Sequence, residues 1–215
     1  MNASQDVDLE ALPDYVRERW PVALERATAK TNSVQVDEQS VRQLIRAAQR
    51  APTVARRVAW LHRAASPWER PLAAVSACKN RCSHCCHIPV VISGTEAQMI
   101  GRHVDIKPTH PTRAVSLADF DDLEGASSAV DALKDRPFSP CPFLKDGACS
   151  VYEVRPMVCR LLVNLDDDDL LCRLVPQNAI PVPYANAQTL KGFFLLAQPS
   201  AVLADIRDYF PADPK

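Results

Sequence analysis

The chain has 215 residues, 47% of them hydrophobic, and its 25 Lys plus Arg against 26 Asp plus Glu leave a formal charge of -1. That length and apolar content suit one domain, or one and a half, with a buried core. The near-neutral balance excludes a global field for nucleic acid or anionic lipid. The longest uninterrupted apolar run, around residues 193–197, is far below the ~18 residues of a membrane span.

Residues 1–8 carry neither the basic start nor the apolar stretch of an export signal, so a soluble protein of the reducing cytosol is expected. Eight cysteines there need a reason other than cross-linking. The first third contains no glycine and repeats apolar residues at helical spacing: Leu9, Leu12, Val16 and Trp20, then Val41, Leu44, Ile45 and Ala48, then Val54, Val58, Leu61 and Ala65. Three helices are predicted, with Asp37 or Ser40 capping the second and Pro52 and Pro67 as punctuation. Arg42, Arg46, Arg50, Arg56, Arg57 and Arg63 crowd this region. Interleaved Glu10, Glu18, Glu25 and Glu38 favour a solvated face over a phosphate-binding one.

Pro71 opens a stretch of good helix formers, and Pro89 must stop any helix that follows. Between them, Cys78, Cys82, Cys85 and Cys86 place four thiols in nine residues. Thiolates are soft donors for zinc and iron, and metal binding is the central expectation. Cys85 and Cys86 should not pair with each other, since neighbouring Cα atoms sit about 3.8 Å apart and an unstrained disulfide wants about 4.4 to 6.8 Å. If the helix from Pro71 reaches His87, the four thiols fall within an arc of about 100° along a row about 12 Å long. That row is too long for one tetrahedral ion and would serve two metal sites or one multinuclear cluster. The rival is a zinc knuckle, a tight turn that usually uses glycine, and no glycine precedes Gly94. His84 and His87 become ligands only if this segment is a loop.

Downstream, residues 88–93 read as a short extended stretch and residues 95–100 open a helix. Residues 106–138 have the composition of a surface insertion without chemistry. Cys141 and Cys149 flank Asp146-Gly147, a strong hairpin signal. A two-residue loop pairs Cys149 with Leu144 and leaves Cys141 on the other face; a three-residue loop turns both thiols to one side, as a shared ion would require. Cys159 follows Pro156 in the start of a helix, where Arg155 and Arg160 could donate to thiolate sulfur or be plain surface arginines. The run Asp166-Asp167-Asp168-Asp169 reads as a solvated acidic loop rather than a set of hard ligands. Cys172 is a lone cysteine, either a ligand or a small buried apolar residue. From Ala187 to Phe210, helical spacing around Pro199 predicts two packing helices, and residues 211–215 should fray.

The blocks Cys78-x3-Cys82-x2-Cys85-Cys86, Cys141-Pro142-Phe143-Leu144 and Cys149-Ser150-Val151-Tyr152-x2-Arg155-Pro156-x2-Cys159-Arg160 resemble the YkgJ family of cysteine-cluster proteins, also described as the CxxCxxCC zinc- or iron-chelating domain. The resemblance covers roughly residues 78–172, with a first spacing of three residues in place of two. It implies eight cysteine ligands, Cys172 among them. Similar blocks occur in the flagellin lysine methylase, which implies an iron-sulfur cluster, but this chain shows no nucleotide or methyl-donor fingerprint.

The expected architecture is mainly α with a small β-hairpin. A helical N-terminal module (1–70) precedes a metal-organised cysteine-cluster domain (71–175, with the insertion 106–138), and packing helices (176–215) follow. The expected function is chelation of zinc or iron, with an iron-sulfur cluster as one form, through Cys78, Cys82, Cys85, Cys86, Cys141, Cys149, Cys159 and Cys172. The alternatives are a redox or group-transfer enzyme using such a cluster, and a metal-handling or sensing module. The partners expected are the metal ion and a protein docked on the N-terminal helices, with no membrane and no nucleic acid. Disulfides in one or two downstream pairs would follow only from exposure to oxidant.

Overall fold

The computed structural model describes residues 10, 12–173 and 180–212; Leu9, the boundary at residues 175 and 176, and residues 213–215 lie outside the described residues. The fold is mainly α with two small antiparallel sheets. Helices α1 (Asp14–Ser33), α2 (Glu38–Arg50) and α3 (Val54–Val75) account for the first third. Asp37 caps α2 by accepting from the Ser40 amide, and Thr53 caps α3 by accepting from the Arg56 amide. Arg42, Arg46, Arg50, Arg56 and Arg63 are exposed, as a solvated face requires.

Helix α3 departs from the sequence reading. It runs through Pro67 and Pro71 and ends at Val75, so Pro67 punctuates nothing and Pro71 starts no new helix. Each proline removes an amide donor from the helix, at a cost of about 3 kcal/mol where nothing offsets it. Tertiary packing offsets it here: Val58, Leu61, Ala64 and Ala65 join Ile45 and Ala48 of α2 and Met157, Leu161, Leu190 and Phe194 in one core, while Leu72 packs with Val163 and Leu165 in another. The helix therefore stops short of the first cysteine and cannot carry the four thiols on one face.

After the cysteine loop comes β1 (Val91–Ser93), the predicted extended stretch, and then α4 (Gly94–Val104). A capping box sets the junction, with Ser93 and Glu96 each accepting from the other's amide. Gly101 cannot carry a Cβ, which would lie 2.4 Å from the Ile106 carbonyl. Residues 106–138 hold more structure than their composition indicates: β2 (Val115–Ser116) joins the sheet, and α5 (Leu123–Ala132) follows, capped by Asp122. The hairpin β3 (Leu144–Lys145) and β4 (Ala148–Cys149) turns on Asp146 and Gly147, both at positive φ (50° and 74°). This is the two-residue loop, pairing Leu144 with Cys149.

Helix α6 (Met157–Leu161) starts directly after Pro156. In the tail, α7 (Gln188–Leu196) is helical as predicted, but residues 202–205 form β5 (Val202–Asp205), and a single turn, α8 (Ile206–Tyr209), follows. Helical spacing misled here because Leu203, Ala204 and Asp205 are all buried in the centre of a sheet ordered β1-β5-β2, where a strand presents no alternation. β5 pairs Val91 with Asp205 and Val115 with Leu203.

Candidate metal centre

From Ser76 the chain loops rather than coils. The Cys82 amide donates to the Lys79 carbonyl, closing a turn in which Arg81 sits at φ 67°, the left-handed region that a knuckle usually assigns to glycine. A 3-10 turn over His84–Cys86 follows. The loop alternative is thus the one adopted, and the missing glycine was no obstacle to it. Within it, His84 Nε2 meets Asp169 Oδ2 at 2.9 Å and His87 Nδ1 meets the Ser83 carbonyl at 3.0 Å.

All eight cysteines are free thiols, seven of them partly buried and Cys78 exposed. They fall into two neighbourhoods. In the first, burial raises Cys141 to about 11, with the charges of Cys86 and Cys149 adding to it. Burial likewise pushes Cys149 up and Cys159 well above the ordinary thiol range, Cys159 also feeling Cys141, Cys86 and Cys149. Cys86 is raised chiefly by its hydrogen bond with Cys85 and by burial.

The second neighbourhood gathers the other four. Burial raises Cys172 to about 12, reinforced by Cys78 and Cys82. The Tyr184 hydroxyl, raised mainly by burial, also feels Cys172, Cys85, Cys78 and Cys82. The two neighbourhoods abut at Cys85 and Cys86. Among the described residues, no three His, Cys, Asp or Glu side chains already converge into a preformed metal site.

Backbone contacts hold the first neighbourhood together. The Cys141 amide donates to the Cys86 carbonyl at 2.7 Å, and the Ser139 amide to that of His87 at 3.0 Å. Arg207, on α8, donates to the carbonyls of Cys86, Ile88, Ser139 and Pro140, and its charge lowers the Cys86 and Cys141 thiols against the effect of burial. Asp205 anchors Arg207 and accepts from the Val90 amide. Cys141 stands in a turn, its carbonyl accepting from the Leu144 amide, so the alternation of the hairpin does not reach it. A three-residue loop is not needed to bring Cys141 and Cys149 together. Glu96, 2% exposed, accepts from the Met157 amide and meets His62 Nε2, joining α6, which carries Cys159, to α4 and α3.

The second neighbourhood is held by polar side chains. Asn164, 1% exposed, donates its Nδ2–H to Cys172 Sγ at 3.3 Å and to the Asp168 carbonyl, while its Oδ1 accepts from the Asp166 amide. Its carbonyl accepts from the Ala77 amide, next to Cys78. The acidic run is only in part the solvated loop expected of it, since Asp167 and Asp168 are exposed but ion-paired. Asp166 is completely buried and takes both Nε and Nη2 of Arg19 at 2.8 Å, and Asp167 takes Lys30 at 2.9 Å.

Arg155 and Arg160 turn towards Glu69 rather than towards sulfur. Among the described residues the buried Arg155 Nε–H has no partner, and the charge of Arg155 lowers the Cys149 thiol. Sequence reasoning missed Arg207, Asn164, Glu96 and Arg19. Only the capping-box pattern at Ser93 and Glu96 could have flagged any of these four.

The order of cysteine blocks, now seen to supply two neighbourhoods from separate chain segments, decides the comparison. Residues 77–177 match the CxxCxxCC family model. The matching family model is described as a "putative zinc- or iron-chelating domain". No curated protein and no solved structure matches the chain. All eight cysteines lie inside the matched residues, whereas α1, α2, α3, α7 and β5 lie outside them. Among the described residues no helix is long and apolar enough to cross a membrane.

The donor set fits the group that this description implies. Thiols are the preferred donors for zinc and for iron-sulfur clusters, each neighbourhood supplies four, and an amide N–H already points at Cys172 sulfur. A bound cation would offset the charge of the thiolates that burial disfavours and would tie the separate segments of each neighbourhood together.

Proposed function

We propose that the chain is a metal-binding protein holding zinc or iron at two adjacent centres. Cys86, Cys141, Cys149 and Cys159 supply the first centre, and Cys78, Cys82, Cys85 and Cys172 the second. The observation that carries this reading is that hydrogen bonds draw cysteines of separate segments together, the Cys141 amide onto the Cys86 carbonyl and the Asn164 side-chain amide onto Cys172 sulfur beside the loop of Cys78, Cys82 and Cys85. Crowded, partly buried thiols resist ionising together without a cation, and metal binding displaces their protons. The residues of this chain would act by holding geometry: Arg207 and the Cys141 amide align the first set, and Asn164 donates to Cys172 in the second. The buried Arg155 Nε–H is a donor within the field of Cys149. Thiol ligands need a reducing compartment, which supports a cytosolic protein.

The test is metal content with the visible spectrum of protein purified without oxygen. Two zincs in a colourless sample, or iron with a broad band near about 400 nm, supports the reading and selects the metal. Metal-free protein whose thiols oxidise in pairs rejects it.

A further inference from the structure

We propose that α1, which lies outside the residues matched by the family model, is the clamp that positions Cys172, with Arg19 and Lys30 as its positioning residues. The proposal deepens the two-centre reading, because it assigns to this chain's own N-terminal helix the integrity of the second set.

Asp166 is completely buried, and its carboxylate is held by both Nε and Nη2 of Arg19 at 2.8 Å. The same guanidinium reaches Asp168 at 2.9 Å, and Arg26 reaches Asp167 at 3.1 Å. Lys30 donates to the Asp166 carbonyl at 2.6 Å. Apolar packing repeats the attachment: Leu171, 1% exposed, sits among Leu12, Val16 and Ala23. Between Asp166 and Leu171 the backbone is tied to Asn164, whose Nδ2–H reaches both the Asp168 carbonyl and Cys172 sulfur. Cys172 is thus joined to α1 through its direct neighbour Leu171 and through the Asn164 network.

Breaking such a buried pair leaves an uncompensated charge, and the least costly response is for the loop to open and hydrate Asp166. Opening would carry Cys172 away from Cys78 and Cys82. The first set is held instead by Arg207, Glu96 and the sheet.

The experiment uses the full chain, reduced and metal-free, given a brief pulse of iodoacetamide, with the labelling of each cysteine read by peptide mass spectrometry. Arg19→Glu should raise the ratio of Cys172 to Cys159 labelling about tenfold, and Arg19→Lys should restore much of the wild-type ratio. Lys30→Ala removes only a partly exposed side chain and should raise the ratio about threefold, which keeps the test open if Arg19→Glu fails to fold. The metal-loaded Arg19→Glu protein should retain one centre of two. An unchanged ratio in both Arg19→Glu and Lys30→Ala overturns the clamp, as does equal acceleration at Cys172 and Cys159. Wild-type protein without metal would reject the two-centre reading instead, while the labelling ratio still decides the clamp.

Discussion

The two thiol sets are neighbours built on opposite principles. Cys141, Cys149 and Cys159 pack against an apolar core that includes Ile92, Phe143, Val151, Ile206 and Phe210, and their segments are laced by backbone hydrogen bonds. Cys78, Cys82 and Cys85 lie on one loop, Cys78 is exposed, and Cys172 is secured through Asn164 and the ion pairs of α1. Burying apolar area gives a rigid site that is insensitive to salt and mild acid, whereas a site held by charges responds to both. The family model covers the cysteines of both sets but not α1, which supplies the cations paired with Asp166, Asp167 and Asp168.

Breaking the first set should have the largest effect. In metal-loaded protein, Cys141→Ser or Cys159→Ser should lower stability by about 4 kcal/mol or more and release one centre, while Cys78→Ser should lose its own centre at about 1 kcal/mol, as read by urea denaturation. Glu96→Ala removes the acceptor for the Ser93 and Met157 amides and the partner of His62. It should destabilise by about 3 kcal/mol and accelerate labelling of Cys159 more than of Cys172. Arg207→Ala strips donors from four carbonyls around Cys86 and Ser139 and should cost about 2 kcal/mol, again with the first set affected more. Asp37→Ala, at the start of α2 and remote from both sets, should lower stability by about 1 kcal/mol without changing the labelling ratio.

The smallest effect is acid sensitivity of the α1 attachment. The side-chain bond from Lys30 holds the Asp167 carboxyl below its ordinary value of 3.8. A depressed folded pKa means that this contribution is fully present above about pH 4 and is lost as pH falls through the lower folded value. Trp20, which packs beside α1's contact with Leu171, reports the attachment. Its emission should shift in that window in wild type, and the shift should diminish in Asp167→Asn.

Much of this was legible in the chain. Helical period, the Asp37 cap and the Asp146-Gly147 turn are local signals, and the three N-terminal helices and the hairpin follow from them. By type and density alone the thiols stood out in the chain as candidate ligands, the role proposed for them above. What escaped depends on tertiary context. Pro67 and Pro71 break isolated helices but not one packed on several sides. Residues 202–204 are an apolar run that only the flanking strands identify as part of a central strand. Four adjacent aspartates repel unless cations arrive from elsewhere, and Arg19, Arg26 and Lys30 come from more than 130 positions away. Arg81 adopts a conformation that glycine favours, so the missing glycine weighed against a turn that the chain makes.

The central claim is the division of eight thiols into two sets of four. Metal per chain, measured by elemental analysis after anaerobic purification, tests it most directly in a series of single Cys→Ser variants. The account predicts that Cys141→Ser, Cys149→Ser and Cys159→Ser each remove one centre and leave the other, and that Cys78→Ser, Cys82→Ser and Cys172→Ser do the converse. Loss of all metal from every variant would mean one shared cluster and would contradict the division, as would full retention in any of them.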